Sequence, residues 1–305
     1  MSERKLVILG TAAQVPTVER NHCAYFLKWD EQGLLVDPGE GTQRQMTRFG
    51  IKASSITKIL LTHFHGDHCL GLPGILQRMA LDGVSHPVEI YFPADGRAFM
   101  DHLLGLSFHK GQIDCTLYPV KHDGEIHANK GFVILAARLA HPVTTFGYRL
   151  QESDGVTLVK EELDRHGLKG KQIGDLLRVG SIYANDKLIR LEEVSVSKKG
   201  QVVAFITDTS YCHAAVELAK HADLLLCEST YLSEHLSLAE SYGHLTSSQA
   251  AQIAYSAGVD QLILSHFSQR YRSTERLLKE ARQIHPKSSA AVDGDVYYLP
   301  ARRRP

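Results

Sequence analysis

The chain has 305 residues, enough to bury a large core in one or two domains. Lys plus Arg and Asp plus Glu are 34 each, so the formal net charge is zero, and a nucleic-acid enzyme would need a local basic patch rather than a general positive field. No apolar run reaches the length of a membrane span or a signal-peptide core, and the composition is that of an ordinary globular protein expected in the cytoplasm.

In chain order, short apolar runs at 6–9, 24–28, 34–37, 59–62, 88–92, 132–139, 202–207, 224–227 and 262–265 predict strands. Helical spacing appears at 42–49, 72–81, 96–103, 213–220, 247–257 and 273–284. Thr246 through Gln249 give the helix at 247 a start signal, and Gly258 is placed to end it. Strands and helices alternate in both halves, which predicts an α/β (mixed α+β) fold of layered sheets covered by helices. Residues 151–190 differ: apolar periodicity weakens, glycines interrupt it and charges of both signs are spread through it. This stretch reads as a surface insertion, and in its sharper form as a protruding arm that touches a large substrate. The tail 301–305 is short and basic, an end expected to fray.

The chemistry concentrates at Thr62-His63-Phe64-His65-Gly66-Asp67-His68. Three imidazoles and one carboxylate within six residues suit zinc or a similar first-row metal, with manganese or iron also able to occupy such donors. His141, Asp208 and His266 each follow a predicted buried strand, the place where a rigid scaffold presents loop residues. If these strand ends share one rim, His63, His65 and His141 can hold one cation and Asp67, His68 and His266 another. Asp208 would then bridge them, as a shared carboxylate does in hydrolases whose two metals stand about 3.5–4 Å apart. Such a pair acidifies a water near neutral pH and draws in a phosphate oxygen. The five cysteines, Cys23, Cys69, Cys115, Cys212 and Cys227, are irregularly spaced without Cys-x-x-Cys, which argues against a disulfide framework or thiolate zinc site. Histidines 22, 86, 102, 109, 122, 127, 166, 213, 221, 235 and 285 lack the strand-end context and read as surface or packing residues.

The run 62–68 resembles the signature of the metallo-β-lactamase superfamily. Gly10-Thr11 with Val15-Pro16 and Arg20-Asn21, Asp37 through Gln43, Gly71-Leu72-Pro73-Gly74, and Ser265 through Tyr271 are similar to the motifs of the ribonuclease Z family. The resemblance implies a four-layer αββα sandwich over residues 1–305, a two-zinc site per subunit at its edge, and a homodimer. It implies endonucleolytic removal of the 3′ trailer from precursor tRNA. In the family the residue matching Asp67 accepts a proton as well as binding metal, while Glu228 and His244 match a pair that assists the leaving group. Apart from the resemblance, Arg270 and Tyr271 read either as contacts to substrate phosphate or as an Arg-Tyr pair of a plain surface loop. This chain departs at Cys227, where the family usually has His, at Val18, where it often has Lys or Arg, and at 167–172, where the arm tip lacks proline but keeps Arg165, Lys169, Lys171 and Arg178 nearby. Two other readings use the same residues: a dizinc phosphodiesterase or arylsulfatase-like hydrolase of small esters, and a non-catalytic zinc-binding interaction protein.

Overall fold

A computed structural model describes residues 4–106 and 113–299; His109 and the tail 301–305 lie outside the described residues. The first half builds one seven-stranded sheet. Six of its strands are β1 (Arg4–Gly10), β2 (Ala24–Trp29), β3 (Gln32–Val36), β4 (Lys58–Leu60), β5 (Val88–Pro93) and β6 (Cys115–Val120), with α1 (Thr42–Arg48), α2 (Gly66–Cys69), α3 (Leu72–Leu81) and α4 (Arg97–Leu104) between them. Pairing is antiparallel from β1 to β3 and parallel from β3 to β6.

The chain then starts the second sheet with β7 (Gly124–Ala128), β8 (Phe132–Arg138) and β9 (Phe146–Glu152). It leaves for an insertion of β10 (Gly155–Leu158), α5 (Lys160–Arg165), α6 (Lys171–Val179), β11 (Ser181–Ala184), β12 (Lys187–Arg190) and β13 (Ser195–Lys198). It returns through β14 (Val202–Ile206), α7 (His213–Ala219), β15 (Leu224–Glu228), α8 (Leu236–Tyr242), α9 (Ser247–Ala257), β16 (Gln261–Ser265), α10 (Glu275–Ile284) and β17 (Ser288–Ala290). The last strand, β18 (Val296–Tyr298), pairs back on β1. The second sheet has the order β17-β16-β15-β14-β9-β8-β7, parallel from β17 to β14 and antiparallel from there to β7.

Side-chain alternation decides the layers. Leu6 and Ile8 join Phe146, Tyr148, Val203 and Phe205 in a core between the sheets. Val7 and Leu9 point the other way, into a core with Leu72, Ile75, Leu76 and Met79 of α3, spaced along one helical face. Ala204 and Ile206 do the same against α7, α9 and α10. The result is helices, sheet, sheet, helices: the αββα sandwich. Strands buried on both faces read as continuous apolar runs, which is why β1, β14 and β15 are visible in sequence. Thr246 caps α9 by accepting the Gln249 N–H, and Gly258 ends it in the left-handed region at φ 65°.

The insertion corrects the sequence reading. It spans β10 to β13, 155–198, rather than 151–190, since residues 151 and 152 belong to β9. It also has its own apolar cluster of Leu163, Leu168, Leu176, Ala184, Ile189 and Val194. Its β11–β12 hairpin turns on Asn185 and Asp186, both at positive φ. Apolar residues shared among short elements give no long periodic run, so these elements escape a periodicity search. The strands β6, β7, β9, β17 and β18 were missed for a related reason: they are short, edge-lying or carry polar residues at alternate positions.

Candidate metal centre

Topology gathers the predicted ligands on one rim. Strand β8 runs antiparallel to β9, which runs antiparallel to β14, so β8 and β14 end on the same side. The two sheets are stitched there: Phe146 N–H donates to the Thr62 carbonyl at 3.0 Å, the Tyr148 hydroxyl to the Leu61 carbonyl at 2.7 Å, and the Thr207 hydroxyl to Thr62 Oγ1 at 2.9 Å. His63, His65, Asp67 and His68 follow β4, His141 follows β8, Asp208 follows β14 and His266 follows β16.

All seven converge in two groups. His65 Nδ1 lies 3.0 Å from His63 Nε2 and 3.4 Å from His141 Nε2. His68 Nε2 and His266 Nε2 lie 3.4 and 3.5 Å from Asp67 Oδ2. Asp208 stands between the groups. Its Oδ2 is 3.5 Å from His63 Nε2 and 3.8 Å from His141 Nε2, and its Oδ1 is 3.3 Å from His68 Nε2 and 3.1 Å from His266 Nε2.

These donors fit a divalent metal. Asp208 Oδ1 and His266 Nε2 are buried without a hydrogen-bond partner. Buried polar atoms are almost always paired, so two orphans aimed at one gap call for a group that accepts their lone pairs. Burial holds His63, His65 and His141 below the ordinary imidazole range, against the pull of Asp208. Their lone pairs are therefore available near pH 7. Burial alone would raise Asp67, but the charge of His68 and hydrogen bonds from His266 and His68 hold it far below the carboxylate range. Asp208 is likewise held well down, burial being outweighed by His266, His68 and His244.

A supporting shell orients these side chains, and little of it was visible in sequence. Asp37, fully buried after β3 at φ 47°, accepts the Thr62 N–H and hydroxyl at 2.7 Å each and His68 Nδ1–H at 2.9 Å. That bond turns His68 Nε2 toward the gap. His141 Nδ1–H donates to the Gly243 carbonyl at 2.8 Å, and His266 Nδ1–H donates to Thr230 Oγ1 at 2.9 Å. The motif glycines serve packing: a Cβ on Gly39 would stand 2.1 Å from the Asp67 carbonyl oxygen, and one on Gly71 would stand 2.1 Å from that of Gly39. Cys23, given no role by the sequence, donates its thiol to the Asp67 carbonyl at 3.3 Å, and burial raises it so that it stays protonated.

Glu228 and His244 reach the same place. Glu228, fully buried at the end of β15, accepts His244 Nδ1–H at 2.9 Å and Thr209 N–H at 2.8 Å on Oε1, and the Thr230 hydroxyl at 2.6 Å on Oε2. The His244 ring stands 5.3 Å from His141 and 5.4 Å from His266. Tyr271 departs from its reading as a phosphate contact. Its hydroxyl accepts the Leu232 N–H at 3.0 Å and bonds His235 Nδ1 at 2.8 Å, so it is committed to the fold rather than to a phosphate. Arg20 is spent similarly on the Tyr271 carbonyl at 2.6 Å. His285 is a buried packing residue bonded to the Val259 carbonyl at 2.9 Å. In the insertion, Arg165 and Arg178 pair with Glu162 and Asp175, while Lys160, Lys169, Lys171 and Lys187 are exposed.

Residues 4–144 match the family model described as anti-Pycsar protein Apyc1, and residues 193–267 match the beta-lactamase superfamily domain. Fold and site together define a metal-dependent hydrolase of the metallo-β-lactamase class. A ribonuclease Z from Nocardia farcinica is 47% identical over 301 residues, 98% of each chain, and one from Salinispora arenicola is 48% identical over 93% of this chain and 92% of its own. The crystal structure of human tRNase Z, short form, superposes with a TM-score of 0.71 at 26% identity, covering 97% of this chain and 99% of that one. The chain belongs to the ribonuclease Z family and is an endoribonuclease.

Proposed function

We propose that this enzyme removes the 3′ trailer from precursor tRNA, using two zinc ions held by His63, His65 and His141 on one side and Asp67, His68 and His266 on the other, with Asp208 shared. The ions would supply Lewis acidity toward the phosphate and a water acidified to near neutral pH. The protein's own groups then move the protons. Asp67, by the family resemblance, accepts the proton of the attacking water. As the water oxygen bonds to phosphorus, the bond from phosphorus to the 3′ oxygen breaks. His244 gives its proton to that leaving oxygen, and Glu228 orients the ring and stabilises its charge. The tRNA is left with a 3′-hydroxyl and the trailer with a 5′-phosphate.

The observation that carries this reading is a carboxylate, Asp208, set between two imidazole groups on the same rim as the Glu228–His244 couple. The insertion is the proposed RNA grip, with Lys169, Lys171 and Lys187 facing solvent. A homodimer, as the family resemblance implies, is part of the proposal and is read by sedimentation. The deciding experiment incubates purified enzyme with a 3′-extended tRNA transcript and with a small chromogenic phosphodiester, maps product ends and assays the bound metal. Cleavage at the trailer junction is expected. Turnover of the small ester alone would favour the small-ester hydrolase, and turnover of neither by zinc-loaded protein would favour the interaction protein.

A further inference from the structure

Nothing in the sequence around His22 marks it as more than a packing residue, yet its ring bonds the carbonyl of Gln14, the residue whose N–H reaches Asp67. His22 Nε2 lies 3.1 Å from the Gln14 carbonyl oxygen. A carbonyl only accepts, so Nε2 carries the proton, while Nδ1 is buried without a hydrogen-bond partner, its nearest carboxylate oxygen being Glu40 Oε2 at 4.0 Å. The N–H of the same Gln14 donates to Asp67 Oδ2 at 2.7 Å. This Oδ2 is the atom that faces His68 and His266.

Gln14 is in a conformation it would not hold unaided. Its φ is 52°, in the left-handed region that a non-glycine residue rarely enters. The Val15 N–H bonds back to the Ala13 carbonyl at 2.5 Å, closing a three-residue turn of the strained hand around Gln14. Relaxation of that turn would swing the Gln14 N–H away from Asp67. Ala13 N–H is fixed on the Phe267 carbonyl at 3.0 Å, and the His22 ring holds the other side of Gln14. Gly39 brings the parts together: a Cβ there would meet the Asp67 carbonyl oxygen and His22 Cβ at 2.1 and 2.7 Å.

We propose that His22 is a positioning residue for the metal centre: through the strained Gln14 it fixes the Asp67 carboxylate in its ligating orientation. This rests on the reading of Asp67 as a metal ligand. The test compares His22→Leu, His22→Gln, whose amide nitrogen can reach the Nε2 position, and Asp67→Ala. Two readouts are used: zinc affinity by competition with a chromogenic chelator, and the Gln14 amide proton shift in the zinc-loaded protein. His22→Leu is expected to weaken zinc binding by about 10–100-fold, the range for loss of a group that orients a ligand, and to move the Gln14 amide upfield. His22→Gln should restore both. Unchanged values in His22→Leu, or equal damage in His22→Gln, overturn the proposal. Wild-type zinc affinity in Asp67→Ala would instead reject the ligand reading, while the Gln14 shift still reports on the link to His22. If His22→Leu does not fold, the imidazole nitrogen shifts of the wild-type protein decide: an Nε2–H tautomer supports the link and an Nδ1–H tautomer rejects it.

Discussion

His244 Nδ1 lies 2.9 Å from Glu228 Oε1, a carboxylate with no solvent exposure. Burial works against a charged His244, yet Glu228 and Asp208, with the Glu228 hydrogen bond, raise it to about 9. The proton-donating form is present at neutral pH and is lost as pH rises through that value. Bound cations offset part of the pull of Asp208, so the alkaline limb of the kcat profile should fall below pH 9. Glu228→Gln removes the largest raising charge and should move that limb lower still, which a pH–rate profile reads directly.

His244→Ala should lower kcat by about 10²–10⁴-fold, the usual worth of a positioned general acid, with a modest change in KM. A rise in KM at unchanged kcat would make His244 a binding residue instead.

Asp208→Ala and His63→Ala should each abolish hydrolysis while the far-ultraviolet circular dichroism stays native. The sandwich core of Leu6, Tyr25, Tyr148 and Phe205 includes neither His63 nor Asp208. Removal of metal with a chelator should have the same effect, reversed by zinc. Full turnover in either variant would reject the ligand assignment.

Asp37→Ala should weaken metal binding by about 10–100-fold, although Asp37 is no ligand itself. It strands the buried donors of Thr62 and His68, at a cost of about 1–3 kcal/mol for each unsatisfied group. Chelator competition and thermal melting would measure the two effects separately.

Gly155 and Lys198 are register partners at the base of the insertion. Replacing the residues between them with a short glycine-serine turn should leave the sandwich intact. Cutting 160–180 alone would strip Leu163, Leu168 and Leu176 from the insertion's core. The shortened enzyme should lose most cleavage of 3′-extended tRNA and keep turnover of a small phosphodiester. Equal loss of both activities would count against the insertion as an RNA grip.

The seven rim residues were legible because two signals are local. His63, His65, Asp67 and His68 crowd into six residues, and His141, Asp208 and His266 each follow a short apolar run. Glu228 and His244 needed the family resemblance, since a lone Glu at the end of β15 and a lone His in a loop carry no spacing signal. The insertion's fold stayed hidden because its core is shared among short elements.

The sequence by itself determined which side chains could bind metal and which strands would be buried, because ligand type and apolar runs are properties of neighbouring residues. Only the tertiary structure decided that Asp208 stands between two groups, that Asp37 aims His68 and that His22 reaches Asp67 through Gln14. Those relationships join residues far apart in the chain, and they exist only once two sheets meet at a common rim.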